Sequence, residues 1–370
     1  MRVIVVGGGI VGASAAYHLT RRGVPTTLVE AERPGRATDA GAGIVFPWPL
    51  PGTDPAAHAF MMAAARHYPR LAAELAEDVG GPIGYTVVGG MTVGADETAV
   101  QRDLEALRAL AARPGCGEVG EPEPLPVGEP ARRFPALRPE YSGVAVGGTA
   151  RVNGRLLRGT LLRAAEERAL RFRAGAAELV GDGTRVTGVR VGGEVLPADA
   201  VVLAAGAWSA ALLAPFGVRL PLRPVRGQIV HLALPGHSTG RWPVVRFAGR
   251  DHYLLAFPAN LVVVGATREP EAGFDHRVTA GGLHRVLADA LEVAPGLAEG
   301  TVLETRVGFR PASEDGLPIL GVPANLPGVV VATGLGASGL TYGPYQGALA
   351  ADLATGRPCE VDVAAFRPDR

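Results

Sequence analysis

Gly7, Gly9 and Gly12 follow the apolar run Val3-Ile4-Val5-Val6 and precede a stretch with Val11, Ala15 and Leu19 at helical spacing. This is G-x-G-x-x-G between a strand and a helix. The first glycine permits a tight turn, and the second lets backbone approach a pyrophosphate. The third lets helix and strand pack closely while the helix N-terminus faces negative charge. Glu30 closes the next strand where an acid accepts both ribose hydroxyls, and an acid there disfavours a 2′-phosphate. The chemistry implied is dinucleotide binding, with NAD and FAD both open on this motif alone.

Other chemistries are excluded by what is missing. All 36 basic residues are Arg, and there is no Lys. A Schiff base with pyridoxal phosphate and the phosphate-loop Lys of nucleotide triphosphatases are therefore ruled out. The eight His residues show no zinc spacing, so no metal site is expected. No G-x-S-x-G elbow occurs; Ser338 lies in a glycine loop without that spacing. Cys116 and Cys359 form no metal or redox motif, which favours a reducing compartment. Acidic and basic residues balance to a formal charge of zero, so no nucleic-acid partner is expected. No signal peptide is read at the start, and no apolar run approaches the ~20 residues of a membrane span. The expectation is a cytoplasmic protein without integral membrane segments, its homo-oligomerisation left open.

The elements that must position these residues follow from pattern. Residues 2–6 read as strand, 10–22 as helix and 26–30 as strand. Residues 56–79, 98–112, 156–170 and 280–293 read as helices. Residues 114–139, rich in Pro, Gly and Glu, read as a loop or crossover. Strands are expected at 186–191, 200–205, 228–234, 253–257, 261–265 and 329–332. A loop over 333–343 then leads into a helix ending at 355. Nucleotide-type segments at both ends of the chain, around a strand-rich middle, predict an α/β fold in two parts. The first is a discontinuous Rossmann-type dinucleotide-binding domain (1–85, 143–217 and 301–370). The second is an α+β substrate domain (86–142 and 218–300) on a mostly antiparallel sheet.

Five blocks in order, across almost the whole chain, resemble the D-amino acid oxidase and glycine oxidase family of FAD-dependent oxidoreductases. Thr38-Asp39-Ala40-Gly41-Ala42-Gly43-Ile44 is similar to its small-residue loop after the acidic residue. Val202-Leu203-Ala204-Ala205-Gly206-Ala207-Trp208-Ser209 matches its strand-to-turn signature. Arg223-Pro224-Val225-Arg226-Gly227-Gln228 resembles the entry to its substrate domain. Gly308-Phe309-Arg310-Pro311, running on to Asp315-Gly316-Leu317-Pro318-Ile319-Leu320-Gly321, resembles its carboxylate-binding strand and turn. Gly334-Leu335-Gly336-Ala337-Ser338-Gly339, with Gly343-Pro344, resembles its last flavin loop. The resemblance implies FAD, held by Gly7, Gly9, Ile10, Val11, Gly12, Glu30, Ala31, Thr38, Ala40, Gly41, Gly43, Ile44 and Ala177. Ala205, Gly206, Trp208, Gly334, Gly336, Ala337, Ser338, Gly339, Leu340 and Thr341 complete that set.

The resemblance also implies a substrate site. Arg310, a planar fork on a strand before Pro311, matches the Arg that grips the substrate carboxylate; pairing with Glu314 or Asp315 is its structural alternative. Tyr253 resembles a tyrosine that assists there. Glycine oxidases carry a second Arg where this chain has Ala337, and Arg306, Arg246 or His252 stand as substitutes. Sarcosine oxidases use a Lys on oxygen and a Cys to tether flavin. This chain has no Lys, Gly308 stands near that Cys position, and 38–44 lacks a tethering His, so non-covalent FAD is implied. Phe46-Pro47-Trp48-Pro49 is a candidate cavity wall. The expected activity is oxidation of a D-amino acid, glycine or N-substituted glycine, with molecular oxygen as acceptor and hydrogen peroxide as product. The rivals are a D-amino acid dehydrogenase passing electrons to a quinone, a sarcosine-like secondary-amine oxidase, an NAD-dependent dehydrogenase and a catalytically idle flavoprotein.

Overall fold

The computed structural model describes residues 1–47, 54–113, 116 and 120–370. Two large sheets organise them. The six-stranded sheet runs Ile319–Gly321, Val329–Thr333, Ala200–Leu203, Val3–Val6, Thr26–Glu30 and Arg171–Ala174. Its pairings are parallel except for the edge strand Ile319–Gly321. The first strand shows why it is apolar throughout. Val3 and Val5 pack towards helices Ile10–Arg21 and Gly339–Ala354. Ile4 and Val6 pack on the opposite face, towards the meander Ala177–Gly181, Val186–Val191 and Glu194–Pro197. Successive side chains alternate faces, so a strand covered on both sides needs every residue apolar.

The helix Gly339–Ala354 starts earlier than expected and carries Gly343-Pro344 inside it. Pro344 has no N–H for the Leu340 carbonyl one turn back. The hydroxyl of Tyr68, from helix Pro55–Val79, donates to that carbonyl instead. A proline that reads as a loop signal thus becomes tolerable through a tertiary donor.

The eight-stranded sheet runs Thr301–Ser313, Leu222–Ala233, Leu261–Gly265, Tyr253–Phe257, Val244–Phe247, Gly90–Gly94, Ser142–Val146 and Glu123–Leu125. All its pairs are antiparallel except Val244–Phe247 with Gly90–Gly94. Helix Ala280–Val293 covers one face through Val286, Ala290 and Val293. The other face turns Ile229, Val244, Leu255 and Val263 towards Ala42 and Ile44 of the small-residue loop. Strands Ser142–Val146 and Thr301–Ser313 belong here by hydrogen bonding, whereas boundaries at 143 and 301 put them with the nucleotide part. The stretch 114–139 holds a strand, Glu123–Leu125, and a helix, Glu129–Arg133, instead of loop alone. Pro130 sits in that helix's first turn, where its missing N–H costs nothing.

Candidate functional site

A cavity opens where the two sheets meet. The glycine turn after the first strand forms one wall. Gly7 takes φ +100°, and a β-carbon there would stand 2.5 Å from the Ala204 carbonyl oxygen. The Gly8 N–H donates to Glu30 Oε2 at 2.5 Å, and the Glu32 N–H to Oε1 at 3.0 Å. Arg158 donates through Nε to the Gly8 carbonyl. Helix Ile10–Arg21 has no side-chain cap of its own. Thr38 Oγ1, from the segment after Glu30, takes the Ile10 N–H at 2.9 Å. The carboxylate and the helix start therefore stand side by side at one end.

Gly7, Gly9, Ile10, Val11, Glu30, Ala31, Thr38, Ala40, Gly41, Gly43 and Ile44 line the cavity, as do Ala177, Ala205, Gly206 and Trp208. So do Gly336, Ala337, Gly339 and Leu340, together with Tyr253 and Arg310. Four of the chosen residues do not. Gly12 lies behind the turn, where a β-carbon would come within 1.8 Å of the Gly7 carbonyl oxygen, so its work is packing. Gly334 turns at φ +76° against Ile319. Ser338 precedes helix Gly339–Ala354 without a side-chain cap bond. Thr341 accepts from the Phe46 N–H and donates to the Ile44 carbonyl, both at 3.3 Å, which ties down the small-residue loop.

At the far end the eight-stranded sheet supplies side chains. Arg310 lies over Gly227, where a β-carbon would meet the guanidinium at 2.5 Å. Its Nη1 donates to the Thr267 carbonyl at 3.0 Å, and no carboxylate among the described residues pairs with it. The two candidate acids are engaged elsewhere, Glu314 with Arg219 at 3.8 Å and Asp315 with Arg370 at 2.7 Å. Burial lowers the Arg310 pKa from its ordinary value, while Tyr253 pulls it the other way. Tyr253 leans over Gly265, where a β-carbon would stand 2.6 Å from its hydroxyl. Burial raises its pKa, opposed by the charge of Arg310. Ile229 pairs with Gly265, so Gly227 and Gly265 are diagonal neighbours on one sheet face. Two bare backbone positions thus let a phenol and a guanidinium converge. A cationic donor fork with one side committed to a carbonyl can bind an anion with the other.

These glycines were not foreseen; a glycine inside a strand is the signal that marks close approach. Arg33 and Arg36 also line the cavity unforeseen. Arg36 lies 3.6 Å from Glu30 and 2.8 Å from Asp39, and the Arg33 guanidinium stands 6.0 Å from the Trp208 ring centre. Of the expected substitutes for the second Arg, none lines the cavity. Arg306 is held by Glu304 and the Asp39 carbonyl, and His252 pairs with Asp289 at 2.9 Å. Arg246 lies 4.8 Å over the Phe46 ring. Trp48 and Pro49, the outer part of the expected wall, fall outside the described residues. No group of three His, Cys, Asp or Glu among the described residues could hold a metal, and no described helix is long and apolar enough to cross a membrane.

The family model for FAD dependent oxidoreductases, DAO, matches residues 2–353. The chain is 42% identical over 366 residues to the uncharacterized oxidoreductase YurR of Bacillus subtilis, covering 99% of this chain and 98% of that one. It is 32% identical over 386 residues to the glycine oxidase of Pseudomonas putida, covering 100% and 98%. Among solved structures, iminodiacetate oxidase from Chelativorans sp. BNC1 superposes with a TM-score of 0.95 at 42% identity, covering 100% and 99%.

Proposed function

The chain belongs to the DAO family of FAD-dependent oxidoreductases acting on amino or amine substrates, and from that premise we propose that it oxidises an amino acid with a free carboxylate: a D-amino acid, glycine or an N-substituted glycine. The residues lining the cavity fit FAD. Glu30 suits ribose hydroxyls, and the start of helix Ile10–Arg21 suits the pyrophosphate. The start of helix Gly339–Ala354 offers N–H groups and a dipole to the isoalloxazine edge that gains charge on reduction. No Cys or His lines the cavity among the described residues, which supports non-covalent binding. When bound, FAD supplies the hydride acceptor.

Arg310 grips the substrate carboxylate with its free side, and Tyr253 donates its hydroxyl beside it. Their shared anchorage fixes the direction of the Cα–H bond, and orientation of this kind carries much of the acceleration. Apolar Ile229 and Ile44 line the same crevice and keep water away from the reacting carbon. The amine reacts in its neutral form; loss of the Cα hydride leaves an iminium, which sheds a nitrogen proton to give an imine. Water splits the imine to a 2-oxo acid and an amine or ammonia. We assign molecular oxygen as final acceptor, with hydrogen peroxide as product, and a cytoplasmic setting that matches the sparse, unpaired cysteines.

The observation that carries this reading is Arg310, half-buried at the cavity without a carboxylate partner among the described residues. Arg310→Ala should remove ~2–5 kcal/mol of carboxylate binding while the flavin spectrum stays intact. Unchanged turnover in that variant sinks the assignment. A peroxide assay under air checks the acceptor: substrate oxidation that yields none but reduces an added quinone replaces oxygen with quinone.

A further inference from the structure

Arg246 is a second cation on the substrate-facing side of the eight-stranded sheet. It pairs directly with Tyr253 across strands Val244–Phe247 and Tyr253–Phe257. Residues directly opposite in an antiparallel pair project to the same face. Tyr253 lines the cavity, so Arg246 rises on the same face of the sheet, beside the cavity and outside its lining. Its neighbour above is Phe46, two residues beyond Ile44 of the flavin-side loop, with the guanidinium 4.8 Å from the ring centre.

This cation is not ion-paired among the described residues. Asp103 and Asp251 act on it electrostatically, yet no carboxylate among the described residues comes within the 4.0 Å of an ion pair. Burial pushes its pKa down from the ordinary Arg value. A stacked Phe ring attracts a cation, but less strongly than burial of an ion opposes it. An arrangement of this kind is balanced when an anion arrives.

Register indicates where the anion would come from. The Arg310 guanidinium lies over Gly227 on strand Leu222–Ala233. Strands Leu261–Gly265 and Tyr253–Phe257 separate that strand from the one carrying Arg246. Three inter-strand steps (~14 Å) and a two-residue offset along the strands (~7 Å) put ~16 Å between the two anchor points. A glycine-sized substrate held on Arg310 leaves the Arg246 side of that span unused. An amine bearing a second carboxylate on its nitrogen substituent reaches towards both.

We propose that the substrate is a dicarboxylic secondary amine of the iminodiacetate type, its oxidised arm held by Arg310 and Tyr253 and its distal carboxylate held by Arg246. This rests on the amino-acid-oxidising role assigned to the cavity above, and the solved structure of an iminodiacetate oxidase at 42% identity supports it. Two electrons leave with one Cα hydrogen as hydride, for which FAD held in the cavity would be the acceptor, and the nitrogen proton goes to solvent. Water then splits the C=N bond, so iminodiacetate yields glycine and glyoxylate.

The test compares iminodiacetate with sarcosine, which has the same secondary amine and one carboxylate but a methyl group in place of the second arm. For the FAD-loaded enzyme, kcat/KM should favour iminodiacetate by ~100-fold, the scale of one buried charge pair. In Arg246→Gln that ratio should collapse towards unity with the flavin spectrum retained. A ratio near one in the unaltered enzyme, or one that Arg246→Gln leaves in place, overturns the proposal. Should the variant fail to fold, the unaltered enzyme still decides: glutarate, which matches iminodiacetate in chain length, should perturb the flavin absorbance at least ~10-fold more tightly than pentanoate, and equal affinities overturn the idea. Turnover of sarcosine or glycine without preference for iminodiacetate defeats this inference alone. Failure of every amine and amino acid to bleach the flavin anaerobically defeats the broader function.

Discussion

The two sheets serve the cavity by opposite means. The six-stranded sheet contributes backbone: turns at Gly7 and Gly206, helix starts at Ile10 and Gly339, and small residues from Ala40 to Gly43. The eight-stranded sheet contributes side chains, Tyr253 and Arg310, which reach the cavity because Gly265 and Gly227 beneath them are bare. A backbone-built site cannot be altered without altering the fold. A side chain laid over a sheet can be displaced while the sheet survives. The first region should therefore fail globally and the second locally.

The largest expected effect tests the global half. In Gly12→Val the new β-carbon would fall 1.8 Å from the Gly7 carbonyl oxygen, and backbone cannot yield as a side-chain tip does. The cost should exceed ~3 kcal/mol, the upper range of overpacking. The purified variant should be colourless and low-melting. A variant that keeps both its flavin absorbance and its melting temperature would break the comparison.

The same contrast explains what the sequence made legible. Glycine spacing, the acid at Glu30 and strict apolar runs are local signals, and helix Ile10–Arg21, strands Tyr253–Phe257 and Leu261–Gly265, and helix Ala280–Val293 lie where pattern put them. The five family-like blocks carried the flavoprotein assignment that the family match bears out. Non-local facts were hidden. Nothing near Pro344 shows that Tyr68 will satisfy Leu340. Nothing in 114–139 shows that Glu123–Leu125 will find Ser142–Val146 as a partner. The floor under Arg310 and Tyr253 exists only through the pairing of Ile229 with Gly265 and of Gly227 with Gly308. Gly12, Gly334, Ser338 and Thr341 belong to matching motifs yet support the cavity from behind, because a motif marks a loop and not which of its atoms face inwards.

A middle-sized effect concerns acid. Behind the first sheet, His18 and His67 lie with ring centres 5.5 Å apart, each with an unpartnered Nε2. Burial holds His67 at about 4, and burial together with the neighbouring His67 holds His18 well below the ordinary histidine value. Unfolded, each titrates near ~6.5. The unfolded chain thus binds more protons over this window, so the stabilisation is present above ~6.5 and is lost as pH falls towards 4. His67 alone accounts for about 3 kcal/mol across it. The second sheet carries His231, also held at about 4 by burial. His67→Phe should flatten the fall in melting temperature between pH 7 and 5, with flavin release following the same curve. If the unaltered protein melts at one temperature throughout that range, the buried pair carries no such cost.

The smallest effect on stability sharpens the local half. A β-carbon at Gly227 would meet Nη1, Cζ and Nη2 of Arg310 at 2.5–2.6 Å. Those atoms end a flexible side chain, and Gly227 does not occupy a positive-φ conformation. Gly227→Ala should therefore fold at a cost of ~1–3 kcal/mol and retain its flavin. The displaced guanidinium no longer meets the carboxylate squarely, and kcat/KM should fall by ~10-fold or more, since small misplacements of an anchoring group are costly. A double-mutant cycle isolates the cause. If Gly227 acts by seating Arg310, adding Gly227→Ala to Arg310→Ala should produce little further loss. Full additivity would mean that the glycine serves the sheet and not the guanidinium, and the convergence of the two side chains over bare backbone would lose its functional meaning.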